Sequence, residues 1–115
     1  MEQIIHVDNS EFFRKIMRTF LSELGFECES FESGDDALDI IKTGRVSCVI
    51  TGLELPDMKG ENFIKELAAL EKPISIIVFS SNTDENRTKF LESQGVLGIV
   101  TKTSNWKEEL VKFFI

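Results

Sequence analysis

Short apolar runs alternate with amphipathic helical patterns five times along this chain, and this alternation limits its possible folds more than any other feature. Parallel strands need a long crossover between them, usually a helix, so the pattern predicts a parallel sheet covered by helices. Right-handed crossovers of this length favour a doubly wound α/β fold, a three-layer (βα)5 sandwich whose five strands take the order 2-1-3-4-5. We predict a single domain over residues 1–115, because two separate cores would need a longer chain.

The predicted elements are short and closely spaced. The strands are predicted over residues 4–7, 27–31, 48–51, 74–79 and 97–100. The second strand is the least apolar, which favours an edge position in the sheet. The first helix has a broad apolar stripe between a Ser10 cap and a Gly25 stop, and the fourth has only Phe90 and Leu91 as clear anchors. The later helices are predicted over residues 35–42, 61–70, 84–93 and 106–114.

The net charge of -7 and the pI near 4.7 argue against nonspecific binding to nucleic acid or to an anionic membrane. A partner surface is expected to be basic or apolar. The sequence has no apolar stretch approaching the ~20 residues of a membrane span, and no basic region ahead of a signal-like apolar run. We therefore predict a cytoplasmic protein.

Polar residues follow four of the predicted strands at the point where each strand ends. Asp8 and Asn9 follow strand 1, Gly52 ends strand 3, Ser80 ends strand 4 and Lys102 follows strand 5. In a doubly wound sheet the functional crevice lies at the carboxyl ends of the strands, where the strand order reverses. The sequence therefore predicts that these residues meet in one pocket.

Four segments carry a resemblance to a known family: Val7-Asp-Asn-Ser10, the loop Leu-Glu-Leu-Pro-Asp-Met-Lys-Gly at 53–60, Phe79-Ser-Ser81, and Gly98-Ile-Val-Thr-Lys102. With these segments at the family's spacing, the chain resembles the receiver domain of two-component response regulators over essentially its whole length. The resemblance implies a flavodoxin-like fold and a non-enzymatic role in a bacterial two-component or phosphorelay pathway.

The resemblance also implies a pocket chemistry. In the family an Asp at the end of strand 3 accepts a phosphoryl group from a phosphohistidine. That Asp and an acidic pair after strand 1 hold Mg²⁺, while a hydroxyl and a lysine bind the phosphoryl oxygens. Asp8, Ser80 and Lys102 match the first acid, the hydroxyl and the lysine.

Several positions depart from the family pattern. Gly52 stands at the phosphoacceptor position and Asn9 at the second acidic position, while Thr103 replaces a proline. Ser80 and Ile99 occupy the two switch positions, and Ile99 replaces a frequent aromatic residue. A family switch that uses this aromatic ring is therefore not expected here.

These departures predict a degenerate phosphorylation pocket and a pseudo-receiver. Glycine supplies no nucleophile, so no catalytic residue is expected at position 52. Mg²⁺ prefers anionic oxygen ligands, so we expect no cofactor and at most very weak Mg²⁺ binding at Asp8. With the other carboxylates lost, we predict a direct ion pair between Asp8 and Lys102.

A pseudo-receiver would act through protein partners: a histidine kinase, a phosphotransfer protein or an attached output domain. The resemblance implies docking at the first helix near Ser10 to Lys15, or at the face of strand 5 with helices 4 and 5, where a homodimer is possible. Exposure of Trp106, Phe113 or Phe114 would indicate such contacts, whereas burial would make them core residues.

An alternative is a phosphorylation- or anion-responsive regulator that uses an unconventional acceptor together with Ser80 and Lys102. Thr51, Glu54 and Asp57 are the candidate acceptors. Strand alternation points Thr51 away from the pocket, Glu54 is expected at its rim, and Asp57 fits a local Pro-Asp turn. A flavin-binding protein is disfavoured, because the loop after strand 1 lacks a hydroxyl-rich or glycine-rich phosphate cradle.

Other residues have plainer interpretations. Gly52 can serve a tight turn or a close backbone approach at a strand end, or can be an engineered replacement. His6, the single histidine, and the two cysteines, Cys28 and Cys48, are predicted to pack inside strands. We assign no metal or redox role to any of them.

Overall fold

The computed structural model describes residues 3–81 and 83–114, so residues 1, 2, 82 and 115 of the predicted domain lie outside the described residues. Five parallel strands form one sheet in the order β2-β1-β3-β4-β5, which confirms the predicted topology and the edge position of the second strand. The elements in chain order are β1 Gln3–Val7, α1 Glu11–Glu23, β2 Glu27–Phe31, α2 Gly34–Ile41, β3 Val46–Thr51, α3 Gly60–Ala68, β4 Ser75–Ser80, α4 Glu85–Ser93, β5 Gly98–Thr101 and α5 Trp106–Val111.

Two helices end earlier than the sequence predicts. The prediction to residue 70 is wrong for α3, which ends at Ala68: the Leu70 N–H donates to the Leu67 carbonyl, only three residues back, in a tightened last turn. The prediction to residue 114 is wrong for α5, which ends at Val111. After that point the Phe113 ring packs on Gly98, where any β-carbon would overlap it.

The strands carry alternating side chains into two cores, one on each face of the sheet. On one face Ile5, Val7 and Val49 pack with residues of α2, α3 and α4. On the other face Ile4 and Ile50 pack with residues of α1 and α5. Residues two positions apart in a strand share a face, so Asp8 and Gly52 continue the second set at the end of β1 and β3. The sheet thereby brings both positions to the same end and the same side.

The aromatic residues near the C-terminus belong to the core on the α1 and α5 face. Trp106 is buried, and its ring lies 5.2 Å from that of Phe79 and 5.3 Å from that of Phe20, measured between centroids. Phe113 and Phe114 are partly buried against the same cluster. By the criterion set from the sequence, Trp106 is a core residue, whereas Phe113 and Phe114 are intermediate between burial and exposure.

The cysteines are packed strand residues, as predicted. Cys28 and Cys48 are both paired in register with Ile4, from the two strands that flank it. Two strand spacings are about 9.5 Å, too far for a disulfide. Burial raises the pKa of Cys28 to about 11 and that of Cys48 to about 12, so both thiols stay protonated at neutral pH. Among the described helices, none combines the length and the apolar character needed to cross a membrane.

Candidate functional site

A cavity of about 240 Å³ opens at the carboxyl ends of β1, β3 and β4. It brings together all five predicted pocket residues, together with Glu54, Phe79 and Ser81. The predicted residues are Asp8, Asn9, Gly52, Ser80 and Lys102. They come from four separate segments, and the parallel sheet is what places them side by side.

Asp8 is the buried anion of this cavity. Its Oδ2 atom lies 2.8 Å from Lys102 Nζ, so the ion pair predicted from the sequence is present. Its Oδ1 atom accepts a hydrogen bond from the Ser10 backbone N–H at 2.9 Å. Burial raises the pKa of Asp8, but His6, Lys102 and the Ser10 N–H together hold it below its usual value. Asp8 is therefore ionised at neutral pH.

Lys102 is held in place by its backbone as well as by its charge. Its N–H donates to the Ser80 carbonyl at 3.0 Å, which extends the pairing of β4 with β5. Its ammonium lies 4.3 Å from the centre of the Phe13 ring and 5.3 Å from that of Phe79. Aromatic faces attract a cation, so the two rings and Asp8 together fix the position of this side chain.

Gly52 stands at the end of β3, and its backbone N–H donates to the Val7 carbonyl at 2.8 Å. Its φ angle is not in the left-handed region, and a β-carbon there would lie 3.7 Å from Val7 O and 3.8 Å from Asp8 Cγ. Those are ordinary van der Waals distances. The interpretation that this glycine serves a tight turn or a close approach is therefore wrong, because a β-carbon fits.

The side chains at the two switch positions are buried or partly buried. Ser80 is buried at the end of β4 and lines the cavity. Ile99 is partly buried and packs against the core on the α2, α3 and α4 face. In β5 it is in register with Val78. An aliphatic side chain thus fills the position where the family often has an aromatic ring.

The candidate substitute acceptors are separated by the structure. Thr51 is buried, and its hydroxyl donates to the Gly52 carbonyl at 2.8 Å, away from the cavity. Asp57 accepts hydrogen bonds from the backbone N–H groups of Gly34 at 3.0 Å and Asp35 at 2.9 Å. Asp57 lies in the bend at residues 56–58, as the predicted Pro-Asp turn requires, and its carboxylate additionally bonds the first turn of α2. Unpaired N–H groups at a helix start attract a carboxylate.

Glu54 lies at the cavity rim, as predicted, and is tied there by a residue that sequence analysis missed. Arg87 of α4 contacts Glu54 at 2.9 Å and Glu61 at 2.5 Å and 3.2 Å. The hydrogen bond from Arg87 lowers the pKa of Glu61, and the bond to Glu61 raises the pKa of Arg87. This clamp joins α4 to the start of α3 and to the rim. No local signal reveals it, since the partners lie 26 and more residues apart.

His6 lies beneath the pocket, directly behind Asp8. It is fully buried, and its Nε2 atom is 3.7 Å from Asp8 Oδ2. Within the described part of the chain neither ring nitrogen has a hydrogen-bond partner. Burial lowers the pKa of His6, so the ring is neutral at pH 7, and the adjacent Asp8 only partly offsets this. The sequence predicted a packed histidine but not its contact with the pocket anion.

The residues present do not fit a Mg²⁺ ion. Mg²⁺ prefers several anionic or neutral oxygen ligands in octahedral geometry. Here Asp8 forms an ion pair with Lys102, and Glu54 forms one with Arg87. Asn9 and Gly52 carry no charge. Over residues 3–81 and 83–114, no group of three His, Cys, Asp or Glu side chains is placed to hold a metal.

Comparison with known proteins shows the family of this chain. The model of the response regulator receiver domain matches residues 4–114. The chain belongs to the response regulator receiver family. This receiver domain is 29% identical to chemotaxis protein CheY-3 of Vibrio cholerae over 118 residues, which covers 97% of this chain and 91% of that protein.

Solved structures support the fold. The receiver domain matches chemotaxis response regulator CheY4 of Vibrio cholerae with a TM-score of 0.87 and 25% identity, over 99% of this chain and 96% of that one. It matches response regulator TrrA of Thermotoga maritima, solved with Mg²⁺ and BeF, with a TM-score of 0.85 and 26% identity over the whole of both chains. The flavodoxin-like fold predicted from the sequence is thereby confirmed.

The buried histidine predicts a pH dependence of stability. His6 is the single histidine of the chain, and its pKa is lower in the folded than in the unfolded state. The unfolded chain therefore binds the proton first. The free energy of unfolding should fall as pH drops below about 6.5, with a slope of at most about 1.4 kcal/mol per pH unit. Urea unfolding between about pH 7 and pH 5 measures this slope, which His6→Leu should reduce. An equal slope in the variant would contradict the assignment.

Gly52 and Gly60, which lie between β3 and the start of α3, should respond differently to substitution by alanine. A β-carbon at Gly60 would lie 2.8 Å from the Leu53 carbonyl oxygen and closer still to its Cα, whereas the one at Gly52 meets no atom within 3.7 Å. We expect Gly60→Ala to destabilise the domain by about 1–3 kcal/mol and Gly52→Ala to change stability by less than about 1 kcal/mol. Urea unfolding checks both variants. Similar losses in both would show that Gly52 is structurally required.

Proposed function

We propose that this receiver domain signals through protein contacts without phosphorylation at position 52. The observation that carries the proposal is the cavity at Gly52, where a side chain has room and no nucleophile is present. The glycine is not needed by the backbone, so its presence bears on the chemistry of the pocket and not on the fold.

The ion pair between Asp8 and Lys102 supports the same proposal. A free ammonium would be available for phosphoryl oxygens, but Lys102 Nζ is already 2.8 Å from a carboxylate and only 12% of its side chain is exposed. Such a pair adds little net stability, because desolvation of both charges offsets their attraction. Its effect is to hold the strand ends in one arrangement without metal or phosphate.

Docking by protein partners is proposed at the first helix. Phe12 is 65% exposed on α1, next to Phe13, whose ring lies under Lys102. An exposed aromatic residue beside the pocket offers a contact for a kinase or phosphotransfer protein. A homodimer through the face of β5, α4 and α5 gains no support from Trp106, which is buried. A non-enzymatic role and a cytoplasmic location stay predictions.

A second candidate is a regulator that still accepts a phosphoryl group on an unconventional residue. The observation in its favour is that Glu54 lines the cavity together with Ser80 and Lys102. Against it stands the ion pair of Glu54 with Arg87, which would have to open before the carboxylate could reach a donor. The experiment below separates the two candidates.

Incubation with acetyl phosphate and Mg²⁺, read by intact mass, tests the proposed function. We expect no phosphoryl adduct on the present chain, because position 52 has no nucleophile. The double variant with Asn9→Asp and Gly52→Asp should gain one phosphoryl group, since it restores both missing carboxylates. The matched control is Asn9→Asp with Gly52→Ala, which should gain none. An adduct on the present chain would overturn the proposal, and peptide mapping to Glu54 would establish the second candidate.

A further inference from the structure

A groove runs along the amino-terminal edge of the sheet, at the opposite end from the pocket. It consists of three adjoining depressions with volumes of about 890, 360 and 290 Å³. The largest shares Gly44, Val46, Lys72 and Ile74 with the smallest, and shares Ser47, Ser75 and Leu97 with the middle one. The three therefore form one continuous surface across the starts of β3, β4 and β5.

Three basic side chains border this groove. Arg45 and Lys72 line the largest depression, and Lys42 lines the smallest, where Glu71 is the one acidic side chain among the described lining residues. Lys72 donates to the Gly44 carbonyl at 2.6 Å, which fixes its position without neutralising its charge.

Four other cations of the protein are ion-paired. Lys15, Arg87, Lys89 and Lys102 each lie within 4 Å of a carboxylate oxygen. Lys42, Arg45 and Lys72 form no ion pair with any described residue. On a chain with a net charge of -7, this edge is a local positive surface. Charge complementarity predicts an acidic partner.

The other half of the groove is lined mainly by apolar side chains, together with Ser47 and Ser75. Leu97 is 53% exposed and stands between the basic depression and the middle one. The middle depression is walled by Ile4, Ile77, Phe113 and Phe114. An exposed leucine beside an apolar cavity leaves apolar area in water, which a bulky side chain of a partner can cover.

We propose that this groove binds an extended acidic segment of a partner protein that carries one bulky apolar side chain. Its carboxylates would lie against Lys42, Arg45 and Lys72, and its apolar side chain would enter the middle depression past Leu97. The open depressions together exceed the ~300–1,000 Å³ of a typical small-ligand pocket, which favours a length of chain over a small molecule. Main-chain and side-chain contacts along a groove are a common mode of peptide recognition.

This inference does not rest on the proposed loss of phosphorylation. The six residues of β3 separate the groove from Gly52, a distance of about 20 Å at strand spacing. Binding at one end and chemistry at the other can therefore be tested in separate experiments, and failure of one leaves the other standing.

Fluorescence anisotropy with a defined probe tests the basic half. The probe is a fluorescein-labelled peptide of about ten Glu and Asp residues with one central Phe. At low salt we expect saturable binding, weakened at least about tenfold by Lys42→Glu with Arg45→Glu. The matched control is Lys59→Glu with Lys89→Glu, which changes the net charge equally on exposed sites elsewhere and should alter affinity by less than about twofold.

A second pair of variants tests the apolar half. Leu97→Asp should weaken binding about tenfold, and replacement of the probe's Phe by Ser should have a similar effect on the unmodified protein. Leu24→Asp is the control, because Leu24 is another exposed leucine, at the end of α1. Urea unfolding of each variant separates loss of binding from loss of folding.

Three outcomes would overturn the proposal. These are no saturable binding of the probe, equal losses from the groove and control variants, and binding of a single-stranded oligonucleotide of the same charge as tight as that of the peptide. The last result would mean that charge alone is recognised and that the apolar depression has no part in it.

Discussion

The nearly buried ion pair between Asp8 and Lys102 is the interaction on which the carboxyl end of the sheet depends. A lone charge in this position would be costly, so each of the two groups requires the other. In the strand order, β3 and β4 lie between β1 and β5, so the lysine must reach across two strands to find its partner. Gly52 lies on that path, and the absence of a side chain there keeps a carboxylate from competing for the ammonium. The glycine at position 52 and the pair beside it are therefore physically linked.

The other residues around this pair are held by contacts within the chain, without metal or phosphate. The Phe13 and Phe79 rings face the ammonium, and His6 backs the carboxylate. At the rim, Arg87 neutralises Glu54. The charges that a divalent ion would otherwise balance are balanced within the chain. This is what a receiver domain needs if it is to hold one geometry without a phosphorylation cycle.

The sequence predicted the strand order and the meeting of Asp8, Gly52, Ser80 and Lys102, because both follow from strand periodicity and crossover handedness. It predicted the ion pair, because removing neighbouring carboxylates leaves one acid and one base facing each other. It did not predict the capping of α2 by Asp57 or the clamp at Arg87. Those contacts join segments more than 20 residues apart, and no period or motif encodes their distance. The early end of α5 was missed for a related reason. The helical pattern of the sequence continues past Val111, but the Phe113 ring packs on Gly98 in a distant segment.

Among the described residues, charged side chains are paired at the carboxyl end of the sheet and unpaired at the amino end. This difference affects where a partner can gain binding energy. At the carboxyl end, each buried charge of the pocket already has a partner, so a ligand there must first break an existing pair. At the amino end, Lys42, Arg45 and Lys72 keep their charges in contact with water beside an exposed leucine. A partner at that end gains ion pairs and apolar burial without breaking any ion pair inside the domain. The amino end of the sheet is therefore the surface where a partner can form ion pairs at the lower cost.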